Sequence, residues 1–224
     1  MNTKSGKLHL YTGPMFSGKS SELIRRFQDI STINKLHCIY VKPSNDTRDP
    51  IGTIQTHNGD IQTDVFTINK DIPSRILDII NNIYNDRKIV LFIDEIQFFN
   101  SSIIDTINSI LQMGYDIYTA GLRSDYIGKP FETISLIIAI ADEVVIKNSI
   151  CVHEGHNGGV CGEPAMFSQM FINDKPVTEY LSTGKVFVGG KEQYKTFCRE
   201  HYLDSKKNNN PVKDRILENK VCIF

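Results

Sequence analysis

The amino-acid sequence predicts an α/β fold with a mostly parallel sheet, a phosphate-binding loop and a small metal-binding domain. Apolar strands alternate with amphipathic helices up to about residue 148, which favours parallel strands joined by crossover helices. A glycine-rich motif joins the first predicted strand to the first predicted helix, and cysteines and histidines concentrate beyond Ser149. We therefore expect a nucleotide-binding domain at 1–148, a smaller domain at 149–204 and a flexible tail at 205–224.

The elements of the first domain follow from hydrophobic periodicity. Runs of apolar and β-branched residues predict strands at 7–12, 37–41, 88–93, 115–120 and 143–146. Apolar residues at helical spacing predict helices at 20–27, 73–84, 103–113 and 134–141. Residues 51–65 are expected to form a hairpin or flap, and 121–131 a loop that binds a ligand at the carboxyl ends of the strands.

The glycine-rich motif matches the phosphate-binding pattern G-x-x-x-x-G-K-[ST]. Its residues are Gly13-Pro14-Met15-Phe16-Ser17-Gly18-Lys19-Ser20. A loop that opens a helix presents free backbone N–H groups to an anion, and the helix dipole adds to this attraction. Lys19 is expected to reach the β- and γ-phosphates of a nucleotide, and the Ser20 hydroxyl to bind Mg²⁺.

A pair of acidic residues follows the most apolar predicted strand. Asp94 and Glu95 come directly after the run 88–93. In phosphate-loop enzymes such a position supplies an Asp that holds Mg²⁺, and the next carboxylate is free to act as a base. Without the phosphate loop, the pair would be equally consistent with an ordinary acidic turn.

Bulk composition narrows the class of protein. The chain has 224 residues and a formal net charge of −1, so it offers no electrostatic reason to bind nucleic acid. No apolar run approaches the roughly 20 residues that span a bilayer, and the N-terminus has no apolar signal core. Five cysteines in such a chain favour a metal site or free thiols over disulfides. We expect a soluble intracellular enzyme.

Cysteine and histidine residues cluster in the second predicted domain. They are Cys151, His153, His156, Cys161, Cys198 and His201. Four nitrogen and sulfur ligands in two pairs would form a closed tetrahedral zinc site that holds a loop-rich domain together. Unrelated thiols and surface histidines are the alternative interpretation.

Taken together, these stretches resemble the thymidine kinases of the cytosolic, zinc-containing class, over Gly13 to about Tyr202. The motifs that carry the resemblance are the phosphate loop, Asp46-Thr47-Arg48, Asp94-Glu95-x-Gln97-Phe98, Gly121-Leu122 with Pro130-Phe131, Cys161-Gly162-x-Pro164-Ala165, and Val188-Gly189-Gly190 before Tyr194 and Cys198. The resemblance implies ATP-dependent 5′-phosphorylation of thymidine, with deoxyuridine as a second substrate, by a RecA-like P-loop fold that uses Mg²⁺ and Zn²⁺. It also implies a cytoplasmic homotetramer with thymidine triphosphate as feedback inhibitor.

The resemblance also implies roles for individual residues. Glu95 would be the catalytic base, Lys19 would contact the phosphates, and Arg48 would neutralise charge on the transferred group. ATP and Mg²⁺ would be bound by the phosphate loop, Asp46, Thr47, Arg48, Asp94, Glu95, Ile96 and Gln97. The base of the nucleoside would lie against Met15, Phe98, Leu122, Tyr126 and Phe131. A lasso would close over it with Lys185, Val186, Phe187, Val188, Gly189 and Tyr194, facing Ser168.

Three positions depart from the family pattern. The usual C-x-x-C pair is absent because Gly158 stands three residues before Cys161, and Val152–Val160 resembles an insertion. Cys161, Cys198 and His201 match family zinc ligands, which leaves Cys151, His153 and His156 as alternatives for the fourth. Cys151 is favoured because it directly follows the last strand and thiolate is the preferred ligand in structural zinc sites. Met170 replaces a basic residue, and Tyr126 stands where the family often has Phe.

Two other classes of protein share some of these features. One is a different phosphate-loop kinase or ATPase with a structural zinc domain. The other is a zinc-containing nucleic-acid-binding module that uses ATP as a switch, for which the composition lacks the expected basic surface.

Overall fold

The computed structural model describes residues 4–33, 35–44, 52–55, 61–83, 87–155, 158–180 and 194–207. The chain divides into two compact units, which we describe separately. The sheet unit contains Met1–Arg123 and Pro130–Lys147, and the C-terminal unit contains Ser124–Lys129 and Asn148–Phe224. The Ser124–Lys129 loop, which the sequence analysis included in the first domain, therefore groups with the C-terminal unit.

The sheet unit alternates strands and helices along the chain. Its strands are β1 (Leu8–Gly13), β2 (Leu36–Pro43), β3 (Thr53–Gln55), β4 (Ile61–Thr63), β5 (Val65–Ile68), β6 (Lys88–Ile93), β7 (Asp116–Leu122) and β8 (Glu143–Ile146). Its helices are α1 (Lys19–Ser31), α2 (Arg75–Asn82), α3 (Ile103–Gln112) and α4 (Glu132–Ile140), with a short 3-10 helix at Ile96–Phe98. Over the described residues, no helix combines the length and apolar character needed to cross a bilayer.

The central sheet has six strands in the order β5-β2-β6-β7-β1-β8, and every neighbouring pair is parallel. The parallel α/β fold predicted from the sequence is confirmed. Because all six strands run the same way, the phosphate loop after β1, the acidic pair after β6 and the end of β7 lie at one edge of the sheet. β3 and β4 form a separate antiparallel pair in the region expected to be a hairpin.

Alternating side chains of the strands build a core on each face of the sheet. In β6, Ile89, Leu91 and Ile93 point to one face, while Val90 and Phe92 point to the other. Helix α1 covers the second face with Leu23 and Ile24. The first face is covered by α2, α3 and α4, whose buried apolar residues recur at helical spacing. Burial on both faces explains why β6 is an uninterrupted apolar run.

The sheet differs from the sequence prediction mainly at its edges. β5 was not predicted as a strand, although it pairs with β2 from Val65 to Ile68. Its two central residues are exposed and its outer two are buried, so it lacks the period-2 pattern of a half-buried strand. β7 continues through Leu122, two residues beyond the predicted end, because its last residues pair with β1.

The C-terminal unit contains short antiparallel strands and one helix. These elements are β9 (Ser149–Ile150), β10 (Pro164–Ala165), β11 (Phe167–Ile172), β12 (Lys175–Pro176), β13 (Tyr194–Phe197) and α5 (Arg199–Lys207). β9 pairs with β10, and β11 lies between β12 and β13. The unit packs around Cys151, Ala165, Phe197 and Tyr202.

None of these strands was predicted from the sequence. The β11–β12 turn places Asn173 and Asp174 at φ values of +50° and +60°, which a two-residue hairpin turn requires and which Asn and Asp tolerate. Residues 185–189 of the expected lasso lie outside the described residues. Helix α5 extends to Lys207, three residues into the expected tail, and residues 208–224 lie outside the description.

Candidate active site and metal centre

The phosphate loop connects the last residue of β1 to the first residue of α1. Gly13 passes so close to the carbonyl oxygen of Lys147 that an added Cβ would lie 2.1 Å from it. Gly18 adopts a φ of +73°, and Phe16 adopts +59°, a strained value for a bulky residue. The glycines are therefore required by close approach and by backbone conformation, and the loop presents the N-terminus of α1 at the sheet edge.

Lys19 is folded into this loop. Its side chain is 9% exposed, and its Nζ donates a hydrogen bond to the Pro14 carbonyl oxygen at 2.6 Å. The Ser17 hydroxyl donates to the same carbonyl at 2.9 Å. A buried ammonium beside the first turn of a helix creates a strongly electropositive loop, which is a site for an anion such as a phosphate.

Ser20 and Asp94 lie together across the sheet edge. The Ser20 hydroxyl donates to Asp94 Oδ1 at 3.1 Å, and Asp94 is only 2% exposed. Asp94 also accepts hydrogen bonds from the Glu95 backbone N–H at 2.8 Å and from the Tyr40 hydroxyl at 3.3 Å. Burial raises the pKa of Tyr40 well above its usual value, so Tyr40 remains a donor. Two hard oxygen donors at a phosphate loop fit Mg²⁺.

Glu95 is held in a fixed orientation by Gln97. Glu95 has a φ of +49°, in the left-handed region that few residues other than Gly adopt. Gln97 Nε2 donates to Glu95 Oε2, and Gln97 Oε1 accepts from the Leu122 backbone N–H at 3.1 Å. Gly121 makes room for this arrangement, since an added Cβ would lie 2.8 Å from Gln97 Oε1. Gln97 was expected from the family resemblance to bind the nucleotide, and its contact with Glu95 was not predicted from the sequence.

The residues expected to contact the nucleoside divide between the two units. Met15, Phe98, Leu122 and Phe131 belong to the sheet unit, where the Phe98 and Phe131 rings meet edge to face at 6.3 Å. Tyr126, Ser168 and Tyr194 belong to the C-terminal unit. Asp46, Thr47, Arg48 and Lys185, Val186, Phe187, Val188 and Gly189 lie outside the described residues.

Four side chains of the C-terminal unit form a compact group of metal-binding type. Ligand atoms of Cys151, Cys161, Cys198 and His201 all lie within 4.8 Å of one another. His201 Nδ1 is 3.3 Å from Cys198 Sγ and 3.5 Å from Cys151 Sγ. His153, one alternative for the fourth ligand, instead stacks on the His201 ring with centroids 3.9 Å apart. The other alternative, His156, lies outside the described residues.

Backbone hydrogen bonds bring these side chains together. The Cys151 N–H donates to the Glu163 carbonyl at 2.8 Å, and the Gly162 N–H donates back to the Cys151 carbonyl at 3.1 Å. Cys198 and His201 lie at the start of α5, one helical turn apart. Burial raises the pKa of the Cys151 thiol, whereas a bound divalent metal would hold it as thiolate. The three-sulfur, one-nitrogen donor set fits a structural zinc site.

The fold and the site define a phosphate-loop, nucleotide-dependent enzyme with a cysteine–histidine group of metal-binding type. A family model described as thymidine kinase matches residues 6–202. The chain therefore belongs to the thymidine kinase family, and the resemblance noted from its motifs is confirmed.

Individual relatives agree with this assignment. The chain is 34% identical to a thymidine kinase of Pyrobaculum aerophilum, over 88% of this chain and 98% of that protein. It is also 34% identical to a thymidine kinase of Thermococcus kodakarensis, over 88% of this chain and 94% of that protein. Among solved structures, the genome packaging NTPase B204 of Sulfolobus turreted icosahedral virus 2 is 13% identical, with a TM-score of 0.39 over 70% of this chain and 80% of that chain. Because that score is low, the family assignment rests on the sequence relatives and the family model.

Proposed function

We propose that this protein is a thymidine kinase that transfers the γ-phosphoryl group of ATP to the 5′-hydroxyl of thymidine, with deoxyuridine as a second substrate. The observation that carries the proposal is the carboxylate of Glu95, oriented by Gln97 next to the Asp94–Ser20 pair and the phosphate loop. Membership of the thymidine kinase family supports the choice of nucleoside.

In the proposed reaction, the 5′-oxygen of thymidine bonds to the γ-phosphorus of ATP as the bond from that phosphorus to the β–γ bridging oxygen breaks. The products are thymidine monophosphate and ADP, and Glu95 accepts the proton that leaves the hydroxyl. Phosphoryl transfer depends mainly on positioning and on charge stabilisation, so the restraint that Gln97 places on Glu95 matters as much as its basicity.

In the proposed mechanism, basic side chains and a metal ion stabilise the negative charge on the phosphate oxygens. Lys19 contributes its ammonium, and Arg48 contributes a guanidinium by resemblance to the family. Mg²⁺ bound by Ser20 and Asp94 would neutralise charge on the phosphate oxygens. Of the predicted ATP ligands, Ser20, Lys19 and Asp94 are supported by their grouping at one edge of the sheet.

Substrate selection provides the first test. We expect thymidine and deoxyuridine to be phosphorylated, and deoxyadenosine and deoxyguanosine to be rejected, because hydrogen bonds to a pyrimidine edge leave unpaired polar groups when another base binds. Purified protein with ATP and Mg²⁺ should form ADP and nucleoside monophosphate in equal amounts, measured by chromatography.

Each alternative function has its own outcome in this experiment. Similar kcat/KM for a purine nucleoside and thymidine would contradict the proposed specificity. ADP formation that does not depend on any nucleoside would favour an ATPase with a structural metal domain. A salt-dependent shift of a labelled oligonucleotide would favour the nucleic-acid-binding module.

We propose that the metal of the C-terminal unit is zinc, bound by Cys151, Cys161, Cys198 and His201. Support comes from the donor set and from the burial of Cys151 in the core of the unit. Zinc would join the segment after β9 to the start of α5, and closing this loop would stabilise the unit.

Cysteine and histidine variants test this ligand set. Cys151→Ala should reduce bound zinc from about one per chain to well below half, and should lower Tm more than His153→Ala does. His153→Ala is the matched control because it removes a neighbouring ring, which stacks on His201 and meets Phe197 edge to face, and leaves the four proposed ligands in place. Atomic absorption and calorimetry measure both quantities. Full zinc occupancy in Cys151→Ala with loss in His153→Ala or His156→Ala would reverse the assignment.

The remaining expectations follow from the family resemblance. We propose that the enzyme acts in the cytoplasm as a homotetramer and is inhibited by thymidine triphosphate, its end product after two further phosphorylations. The exposed side chains of Leu136 and Ile140, which lie about one turn apart on α4, support self-association, since an exposed apolar patch marks an interaction surface.

A further inference from the structure

The Ser124–Lys129 loop connects β7 to α4, which are both elements of the sheet unit. The loop itself nevertheless belongs to the C-terminal unit. Asp125 organises the loop from inside. Its N–H donates to the Lys129 carbonyl at 2.9 Å, and its carbonyl accepts from the Gly128 N–H at 3.0 Å. Asp125 Oδ1 accepts from the backbone N–H groups of Ile127 at 3.0 Å and Lys129 at 2.9 Å. One carboxylate oxygen therefore joins Asp125 to two later backbone N–H groups of the loop.

The other oxygen of Asp125 binds the loop to a distant part of the chain. Asp125 Oδ2 accepts a hydrogen bond from the Tyr180 hydroxyl at 2.6 Å, and the side chain of Asp125 is 7% exposed. A buried carboxylate that accepts from a hydroxyl forms a short, charge-assisted hydrogen bond. Burial and the nearby Asp125 carboxylate raise the pKa of Tyr180 to about 12, so its hydroxyl stays protonated and donates over the physiological range.

Further contacts fix the same loop. The Lys206 ammonium on α5 donates to the Ile127 carbonyl oxygen. Gly128, at φ +81°, lies so close to Tyr202 that an added Cβ would be 2.4 Å from its hydroxyl oxygen. Residues from two parts of the C-terminal unit, Tyr180 and α5, therefore bind one six-residue loop.

The loop carries a residue with an expected role in substrate binding. Tyr126 is buried, and its ring meets the Tyr180 ring edge to face with centroids 6.1 Å apart. The Asp125–Tyr180 hydrogen bond thus lies next to Tyr126, which by family resemblance is expected to contact the base of the nucleoside. The Asp125 carboxylate, directly before Tyr126, also binds the backbone N–H groups of Ile127 and Lys129, which follow Tyr126 in the chain.

We propose that Asp125 and Tyr180 are positioning residues for thymidine binding, because their hydrogen bond fixes the Ser124–Lys129 loop and the orientation of Tyr126. The inference rests on the proposed thymidine kinase function. Neither residue is assigned contact with the substrate or the reacting atoms. The pair instead determines specificity through Tyr126, and it makes thymidine affinity depend on the integrity of the C-terminal unit.

Tyr180→Phe tests this proposal with the smallest change, since it removes one hydroxyl and keeps the ring against Tyr126. We expect thymidine KM to rise about 5- to 30-fold, the factor that corresponds to a loss of about 1–2 kcal/mol. ATP KM and kcat should change by less than about twofold, because phosphate positioning and the base are untouched. Tyr115→Phe, which removes a hydroxyl just before β7, is the matched control and should behave as wild type.

A second pair of variants separates positioning from general stability. Asp125→Asn keeps an acceptor for the two loop N–H groups and should raise thymidine KM less than Asp125→Ala does. Double-mutant cycles of Asp125→Asn with Tyr180→Phe should be non-additive, since both changes remove the same charge-assisted hydrogen bond from the Tyr180 hydroxyl to the carboxylate. Hydrogen exchange at the Ile127 and Lys129 amides should be faster in Asp125→Ala, which reports on the loop without any substrate.

The outcomes distinguish two different failures. If wild-type protein does not phosphorylate thymidine, the proposed function is wrong. The proposed role of Asp125 and Tyr180 in thymidine binding is then wrong as well. If wild type is active but Tyr180→Phe and Asp125→Asn keep wild-type thymidine KM, the function stands and the positioning proposal is overturned. A lower Tm with unchanged thymidine KM would likewise overturn it, because that is the result expected of a purely structural contact.

Discussion

Glu95→Gln is expected to lower kcat by about 10²–10⁴-fold, the usual contribution of a general base. Glutamine has nearly the same shape and can still accept the hydrogen bond from Gln97, but it cannot take a proton from the 5′-hydroxyl. The KM values for thymidine and ATP should change little, because the carboxylate acts mainly in the transition state. Steady-state kinetics with both substrates varied measures these parameters.

A surface glutamate provides the matched control for this substitution. Glu143 on β8 pairs with His9 at 2.7 Å and its side chain is 58% exposed, so Glu143→Gln should leave kcat unchanged. Turnover of Glu95→Gln near the wild-type rate would remove Glu95 from the role of base. The phosphate-loop assignment would survive that result, because it rests on Lys19 and Ser20.

Lys19→Ala is expected to raise ATP KM and lower kcat together, reducing kcat/KM for ATP by at least about 10²-fold. The ammonium is the buried positive charge of the loop, and it is expected to contact the phosphates in both the ground state and the transition state. ATP binding measured by calorimetry separates the ground-state part of this effect from the loss of rate.

The control for Lys19 is a lysine at the opposite end of the sheet. Lys88 begins β6 and pairs with Asp116 at 2.7 Å, so Lys88→Ala changes the same charge far from the carboxyl ends of the strands. Melting temperatures of both variants show whether loss of the Lys19–Pro14 hydrogen bond unfolds the loop. Normal ATP affinity and rate in a folded Lys19→Ala protein would contradict the phosphate-loop assignment.

The sequence alone determined the parallel α/β core and the nucleotide loop. Strand β6 is buried on both faces, so its apolar run is visible without a structure. The phosphate loop is a local motif, and its glycines are required by backbone geometry that neighbouring residues impose. The motifs together also identified the thymidine kinase family, since their order along the chain is itself sequence information.

Short or edge strands, whose exposed and buried residues follow no regular pattern, could not be predicted in this way. β5 is an edge strand with exposed central residues, and β11 and β13 are short strands whose burial depends on each other and on α5. The Asn173-Asp174 turn was a usable local signal for the β11–β12 hairpin. Strand propensity is weak in such segments because packing against distant neighbours decides the conformation.

Contacts between distant residues were decided only by the tertiary structure. Cys151 lies beside His201, which is 50 residues away in the chain. His153, only two residues from Cys151, instead stacks on the His201 ring. Gln97 reaches β7 to orient Glu95, and Asp125 accepts from Tyr180 across 55 residues. Sequence patterns record local periodicity, whereas these side chains meet because strand pairing and helix packing bring separate segments to the same place.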